Sequence, residues 1–220
     1  MRLFLSVDFS DEIRQALLDC QRSLQAQALS ADLTRPENLH LTLAFIGETD
    51  NADGAIRAMN QISEPSFRLT VSGCGRFGDL WWVGIEKNAR LLRLSERLKQ
   101  ALVSEGFIIE KKKFKPHITI ARRVRLPEGA EAPAFEAERL HSETEKHKDI
   151  KADGKDNGKN SRKNSRKNRA DNKNQGIRLQ VPRIAMNVGG FSLMKSERIA
   201  GRLTYTELYW KGLRNDDGGS

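Results

Sequence analysis

Cysteine is almost absent from these 220 residues: only Cys20 and Cys74 occur, and they form no C-x-x-C pair. That excludes a disulfide framework and a zinc ribbon, and it points to a reducing compartment. Long apolar runs are also missing. The longest, such as Leu3–Leu5 and Trp81–Val83, span a few residues, far short of the roughly 20 needed to cross a bilayer. Met1–Val7 is apolar but is cut off by Asp8, too short for a signal-peptide core. The expectation is therefore a cytoplasmic protein without a membrane partner. Aromatic residues make up only 6% of the chain, beside 38% hydrophobic and 30% charged, a polar but still globular composition.

Positive charge is plentiful. The net charge of +9 points to a polyanionic partner, yet it is unevenly placed. Residues 141–176 hold eleven Lys/Arg against six Asp/Glu, with Ile150, Ala152 and Ala170 as the only apolar side chains, and repeat KNSR-KNSR-KNR from Lys159 to Arg169. Such a tract cannot bury enough apolar surface to offset the entropy of ordering it. It is expected to be a disordered basic insert, either a solvated loop or an arm touching RNA phosphates. On this reading 1–140 and 177–213 form one catalytic domain, and 214–220 a flexible tail.

Outside the tract, strand-like and helix-like periods alternate in mixed order. Arg2–Val7 reads as a strand. Ser10 then caps a helix with Ile13, Leu17, Cys20, Leu24 and Ala28 on one face. Leu39–Ile46 reads as a strand and Ala55–Ile62 as a helix. Phe67–Val71 and Trp81–Ile85 read as strands joined by a turn at Gly73, Gly75 and Gly78. These glycines make no dinucleotide fingerprint, since no helix follows them. Leu91, Leu94, Leu98 and Ala101 mark a second long helix that ends at Gly106. Phe107–Glu110, His117–Ala121, Ala185–Leu193 and Thr204–Trp210 read as further strands. Mixed order with hairpin neighbours predicts an α+β fold rather than a doubly wound one.

The chemically informative feature is a repeat: His40-Leu41-Thr42-Leu43 and His117-Ile118-Thr119-Ile120. With four histidines and eight threonines in the chain, chance supplies roughly 0.15 His-x-Thr matches. Alternation along a strand puts His40 and Thr42 on one face and their aliphatic neighbours in the core, and likewise for His117 and Thr119. One such strand is satisfied by a half-buried structural histidine; two copies favour chemistry. Two imidazoles, one removing a proton from water and one protonating a departing oxygen, with hydroxyls on the phosphate, suit phosphodiester cleavage without a metal or cofactor. No carboxylate cluster accompanies them, and His141 and His147 fall in the basic tract. Of the adjacent Trp81 and Trp82, one is expected in the core and the other free to stack on a nucleobase. Lys111–Lys113 and Lys115 form a basic approach to the second motif.

Arg35-Pro36-Glu37-Asn38-Leu39-His40-Leu41-Thr42-Leu43 and Phe114-Lys115-Pro116-His117-Ile118-Thr119-Ile120-Ala121-Arg122 resemble the two signatures of the 2H phosphoesterases, within them the RNA 2′,3′-cyclic phosphodiesterases, also called bacterial 2′-5′ RNA ligases. Arg2-Leu3-Phe4, Gly73–Phe77 and Phe191-Ser192-Leu193-Met194-Lys195-Ser196 agree more weakly. Asp8-Phe9-Ser10 stands where the family usually has a proline, and the basic tract replaces a shorter connection. The resemblance implies a bilobal fold, two pseudo-symmetric lobes with antiparallel sheets around a central cleft. It also implies hydrolysis of a terminal 2′,3′-cyclic phosphate to a 2′-phosphomonoester. His40 would be proton donor, His117 proton acceptor, Thr42 and Thr119 phosphate holders and Arg122 a substrate-binding residue. By alternation Arg122 points away from His117 unless the strand ends or bulges there. The implied partner is RNA with cyclic phosphate ends, such as tRNA fragments, met by a monomer. Three alternatives stay open: reversible 2′-5′ ligation, turnover of small cyclic nucleotides, and a non-catalytic RNA-end binder.

Overall fold

Among the described residues, nine strands and three α-helices arise where the periodicities change. The computed structural model describes residues 1–130, 177 and 179–215; the basic tract lies outside them. In chain order the elements are β1 (Arg2–Val7), α1 (Asp11–Gln27), β2 (Ser30–Leu33), β3 (Leu41–Glu48), α2 (Ala52–Asn60), β4 (Phe67–Phe77) and β5 (Leu80–Ile85). They continue with α3 (Ala89–Ser104), β6 (His117–Arg125), β7 (Ile184–Val188), β8 (Gly190–Ile199) and β9 (Arg202–Gly212). Ser10 caps α1 by accepting from the Ile13 amide, and Asn51 and Asn88 cap α2 and α3 in the same way. Among the described residues no helix is long and apolar enough to cross a membrane.

The strands form two antiparallel sheets, one in the order β3-β1-β8-β9 and one in the order β2-β6-β5-β4-β7. This is the expected α+β architecture of two lobes, and each sheet contains one of the two His-x-Thr strands. One hydrophobic cluster runs behind both. Helix α1 lies against β6 and β7, and α3 against β3 and β4. Leu91, Leu94, Leu98 and Leu102 of α3 are fully buried, each contributing about 1.5–3 kcal/mol of apolar transfer. The buried Ser95 hydroxyl donates to the Leu43 carbonyl at 2.8 Å, which pins α3 to the back of the first motif strand. Leu41, Leu43, Ile118 and Ile120 are buried, as alternation requires.

Three local expectations are corrected. Gly73 and Gly75 lie inside β4 rather than in a turn. Gly73 (φ +70°) sits at a bulge in the β4–β5 ladder, and only Gly78 (φ +61°) makes the hairpin. Phe107–Glu110 is no strand: Ile108 is 97% exposed, and among the described residues no strand lies beside the segment to offer a ladder. Ala185–Leu193 is split at Gly189 into β7 and β8, which belong to different sheets. Arg214, the first residue after the 177–213 segment, exchanges backbone hydrogen bonds with Glu64 and Ser66. Residues 216–220 lie outside the described residues.

Candidate active site

Both motif histidines reach the space between the sheets through one local device. A 3-10 turn, Pro36–Asn38, precedes β3, and the Asn38 carbonyl accepts from His40 Nδ1 at 2.8 Å. Ahead of β6 the Lys115 carbonyl accepts from His117 Nδ1 at 2.7 Å. A carbonyl can only accept, so Nδ1 carries a proton in both rings and Nε2 is left to exchange one. His40 Nε2 lies 2.9 Å from Thr42 Oγ1, so that hydroxyl donates to the neutral ring and accepts from the charged one. His40, Thr42, His117 and Thr119 line a single cavity of about 300 Å³. The structure thus brings together two His/Thr pairs that the sequence separates by more than seventy positions.

The two rings sit in different surroundings. His40 is held between Phe4 (ring centroids 4.9 Å) and Tyr205 (5.2 Å, edge-on). His117 meets Phe77 edge-on at 5.3 Å, with Trp82 behind it at 6.3 Å. Both Trp81 and Trp82 are buried, so neither is free to stack on a base. The Trp82 indole fills the space at Gly75, where a Cβ would fall 2.5 Å from the ring, and exposed Phe77 covers it. Burial also pushes the Cys20 thiol up to about 11, with Cys74 adding to the shift, so it stays protonated at neutral pH and is no nucleophile.

Burial holds the His40 imidazole below its ordinary value. The nearby Arg122 and His117 push the same way, while the Asn38 carbonyl and Asp8 oppose. Below the unfolded value of 6.5 the native ring binds fewer protons than the unfolded one. This stability is therefore full above that pH and is lost as pH falls towards the lowered folded value. In urea unfolding, wild type is expected to lose more stability than His40→Gln between about pH 8 and about pH 5.5. Equal losses in the two proteins would contradict the burial of a neutral ring.

Arg122 reaches the cleft because β6 bulges. Trp81 pairs with Ala121 but Trp82 pairs with Thr119, so Ile120 is the extra residue. Ile120 and Ala121 are both buried, Arg122 is exposed, and Arg122 lines the cavity. Simple alternation, which turned Arg122 away, is overturned by that one residue. The bulged Ile120 carbonyl is satisfied from elsewhere: the Thr34 amide donates at 2.9 Å and Gln21 Nε2 at 2.7 Å. Gln21, buried on α1, also donates to the Thr34 carbonyl at 2.6 Å. It ties the approach to the first motif to the second motif strand. Gln21→Met removes both donors at similar volume, and is expected to cost about 1–3 kcal/mol in urea unfolding. Unchanged stability would rule out the clamp.

Several residues here gave no signal in the sequence. Asn38 Nδ2 donates to the Leu203 carbonyl at 3.0 Å, fastening the turn before His40 to the β8–β9 hairpin. Arg14 donates to the Pro36 carbonyl at 2.7 Å and pairs with Asp8 at 2.6 Å, bracing the same turn. Tyr205 and Arg198 come to the cleft from that hairpin, more than 150 residues after the first motif.

The profile of the 2′-5′ RNA ligase superfamily matches residues 9–149. A protein of Thermotoga maritima named RNA 2′,3′-cyclic phosphodiesterase is 35% identical over 136 residues, 56% of this chain and 70% of its own. One of the same name from Escherichia coli K12 is 31% identical over 129 residues, 55% and 71% of the two chains. Among solved structures, a Thermus thermophilus protein superposes with TM-score 0.67 at 24% identity, over 98% of this chain and 100% of that one. E. coli LigT in apo form gives 0.64 at 22%, over 97% and 98%. A profile match over more than half the residues, joined to this shared fold, places the chain in the 2′-5′ RNA ligase superfamily.

Proposed function

We propose that the protein hydrolyses the 2′,3′-cyclic phosphate at the end of an RNA to a 2′-phosphomonoester, with 1–140 and 177–213 as the catalytic unit. The observation that carries this reading is the pair of His-x-Thr strands, one from each sheet, lining one cavity with both imidazoles fixed as Nδ1–H tautomers. The names of the Thermotoga and E. coli relatives support it.

In this mechanism the cyclic phosphate sits between the two Nε2 atoms. His117 takes a proton from water as its oxygen bonds to phosphorus. The bond to the 3′ oxygen breaks, and His40 Nε2–H protonates that oxygen as it leaves. The Thr42 and Thr119 hydroxyls and the Arg122 guanidinium hold the non-bridging oxygens, where charge builds. Before substrate binds, His40 is neutral at neutral pH, so its proton arrives with the substrate: a bound phosphate anion stabilises the imidazolium. His40 and His117 supply all the acid–base chemistry, so the reaction is expected to survive a chelator.

Isotope labelling tests the bond changes. Chelated protein in water enriched in oxygen-18 should give a 2′-phosphomonoester carrying one labelled oxygen. A 2′-5′-joined product without label would replace hydrolysis by ligation, and an unchanged cyclic end would contradict the reading altogether.

A further inference from the structure

The cleft holds more cationic side chains than one reacting phosphate uses. A cyclic phosphodiester carries a single negative charge, and Arg122 is the arginine whose charge acts on both His40 and Tyr205. Yet Arg35, Arg123 and Arg198 line the same cavity. Arg123 is paired with Asp32, and Arg35 lies 3.5 Å from Glu37. Arg198 differs: among the described residues it makes no ion pair, only a hydrogen bond from Nη1 to the Gly201 carbonyl at 3.2 Å. A guanidinium has five N–H donors, so most of those on Arg198 remain unused.

Its place on the hairpin is set by register. Arg198 lies opposite Leu203, and Ser196 opposite Tyr205. Residues two apart on a strand share a face, so Arg198 and Leu203 form the row next outward from Tyr205, about 7 Å along the strand by its rise. Tyr205 itself touches His40. The hairpin cannot drift relative to that histidine, because Asn38 Nδ2 holds the Leu203 carbonyl. Arg198 therefore stands one row outside the residues around His40, with the ring of Tyr205 between and the apolar side chain of Leu203 beside it. An extended RNA strand offers the matching pattern, a sugar and base between two phosphates. A terminal cyclic phosphate has chain on its 5′ side only, so the second phosphate belongs to the nucleotide before it.

We propose that Arg198 forms a second phosphate subsite, which engages the internucleotide phosphate on the 5′ side of the terminal nucleotide and selects oligonucleotides over cyclic mononucleotides. The inference rests on the reaction proposed above and narrows its substrate class.

The test compares wild type and Arg198→Gln on 2′,3′-cyclic AMP and on a trinucleotide ending in the same cyclic nucleotide. Binding of the corresponding uncyclised 3′-phosphates is measured in parallel. Arg198→Gln is expected to lower trinucleotide kcat/KM about tenfold more than mononucleotide kcat/KM, through KM, and to weaken trinucleotide binding by about the same factor. The slope of log affinity against log salt for the trinucleotide should shrink by about 0.7. Arg198→Lys, which keeps the charge, should recover part of the loss. Equal losses on the two ligands would place Arg198 on the reacting phosphate and overturn the subsite. So would wild-type binding of the trinucleotide no tighter than of the mononucleotide. The binding arm decides the subsite even where neither substrate turns over, an outcome that would sink the reaction instead.

Discussion

His40→Ala and His117→Ala are each expected to lower kcat on an RNA 2′,3′-cyclic phosphate by about 10²–10⁴-fold, the usual worth of a positioned general acid or base. RNA-end affinity should change far less. In the proposed mechanism the two rings act on different oxygens of one transition state, so either loss leaves a proton transfer to bulk water. The groups proposed to hold phosphate, namely Thr42, Thr119 and Arg122, remain in both variants. Binding measured by fluorescence anisotropy beside single-turnover rates separates the two effects. A binder without chemistry would show intact affinity and no product even in wild type. Turnover within tenfold of wild type in either variant would remove that histidine from the mechanism. The double variant should be little worse than the worse single one, because in the proposed mechanism both proton transfers serve one displacement at phosphorus.

Arg122→Gln carries the second large effect, an expected fall of about 10²-fold in kcat/KM, the size seen when one donor to a developing anion is removed. Arg123→Gln should cost only a few-fold, although it is the adjacent residue and lines the same cavity. The difference lies in their partners. Asp32 already neutralises Arg123, whereas the Arg122 charge is felt at His40 and Tyr205. Steady-state kinetics on both variants decides it. Equal losses, or the larger loss at Arg123, would mean that the bulge at Ile120 does not set which guanidinium meets the phosphate. Arg122→Gln should also relieve part of the depression of the His40 pKa, since its guanidinium opposes protonation there.

Arg122 also marks where the sequence stops being legible. The four motif residues could be placed because strand alternation is local: His40 with Thr42, His117 with Thr119, aliphatics behind. The helices followed from apolar spacing and, for α1, from the Ser10 cap; the Asn51 and Asn88 caps became visible only in the structure. A bulge, by contrast, is a two-strand property. The extra residue Ile120 exists only relative to Trp81 and Trp82, and its stray carbonyl is tolerated because Gln21 and Thr34 reach it. Nothing in positions 117–122 alone encodes that. The same holds for β2, whose four residues, Ser30–Leu33, are too few for a period and form a strand by pairing with β6. Phe107–Glu110 fails in the opposite sense: Phe107 and Ile109 pack against the core, but among the described residues no strand pairs with the segment.

The residues around the imidazoles were hidden for a related reason. Tyr205 meets His40, Asn38 is fastened to Leu203 and Arg198 lines the cavity through the β8–β9 hairpin, whose place beside β1 is a long-range sheet decision. The tryptophans show the limit of reasoning from exposure alone. Alternation puts Trp81 and Trp82 on opposite faces, but Phe77 covers Trp82 from the hairpin turn, so both are buried.

Whether this histidine pair opens a cyclic phosphate and releases the 3′ oxygen is read from the identity of the product: purified protein with EDTA, a short RNA ending in a 2′,3′-cyclic phosphate, and chromatography against authentic 2′- and 3′-phosphate standards. The 2′-phosphate is expected as the sole product, formed at a rate the chelator does not change. A 3′-phosphate would mean that the 2′ oxygen is the one protonated, and an untouched cyclic end would contradict the assignment of this cleft to the reaction.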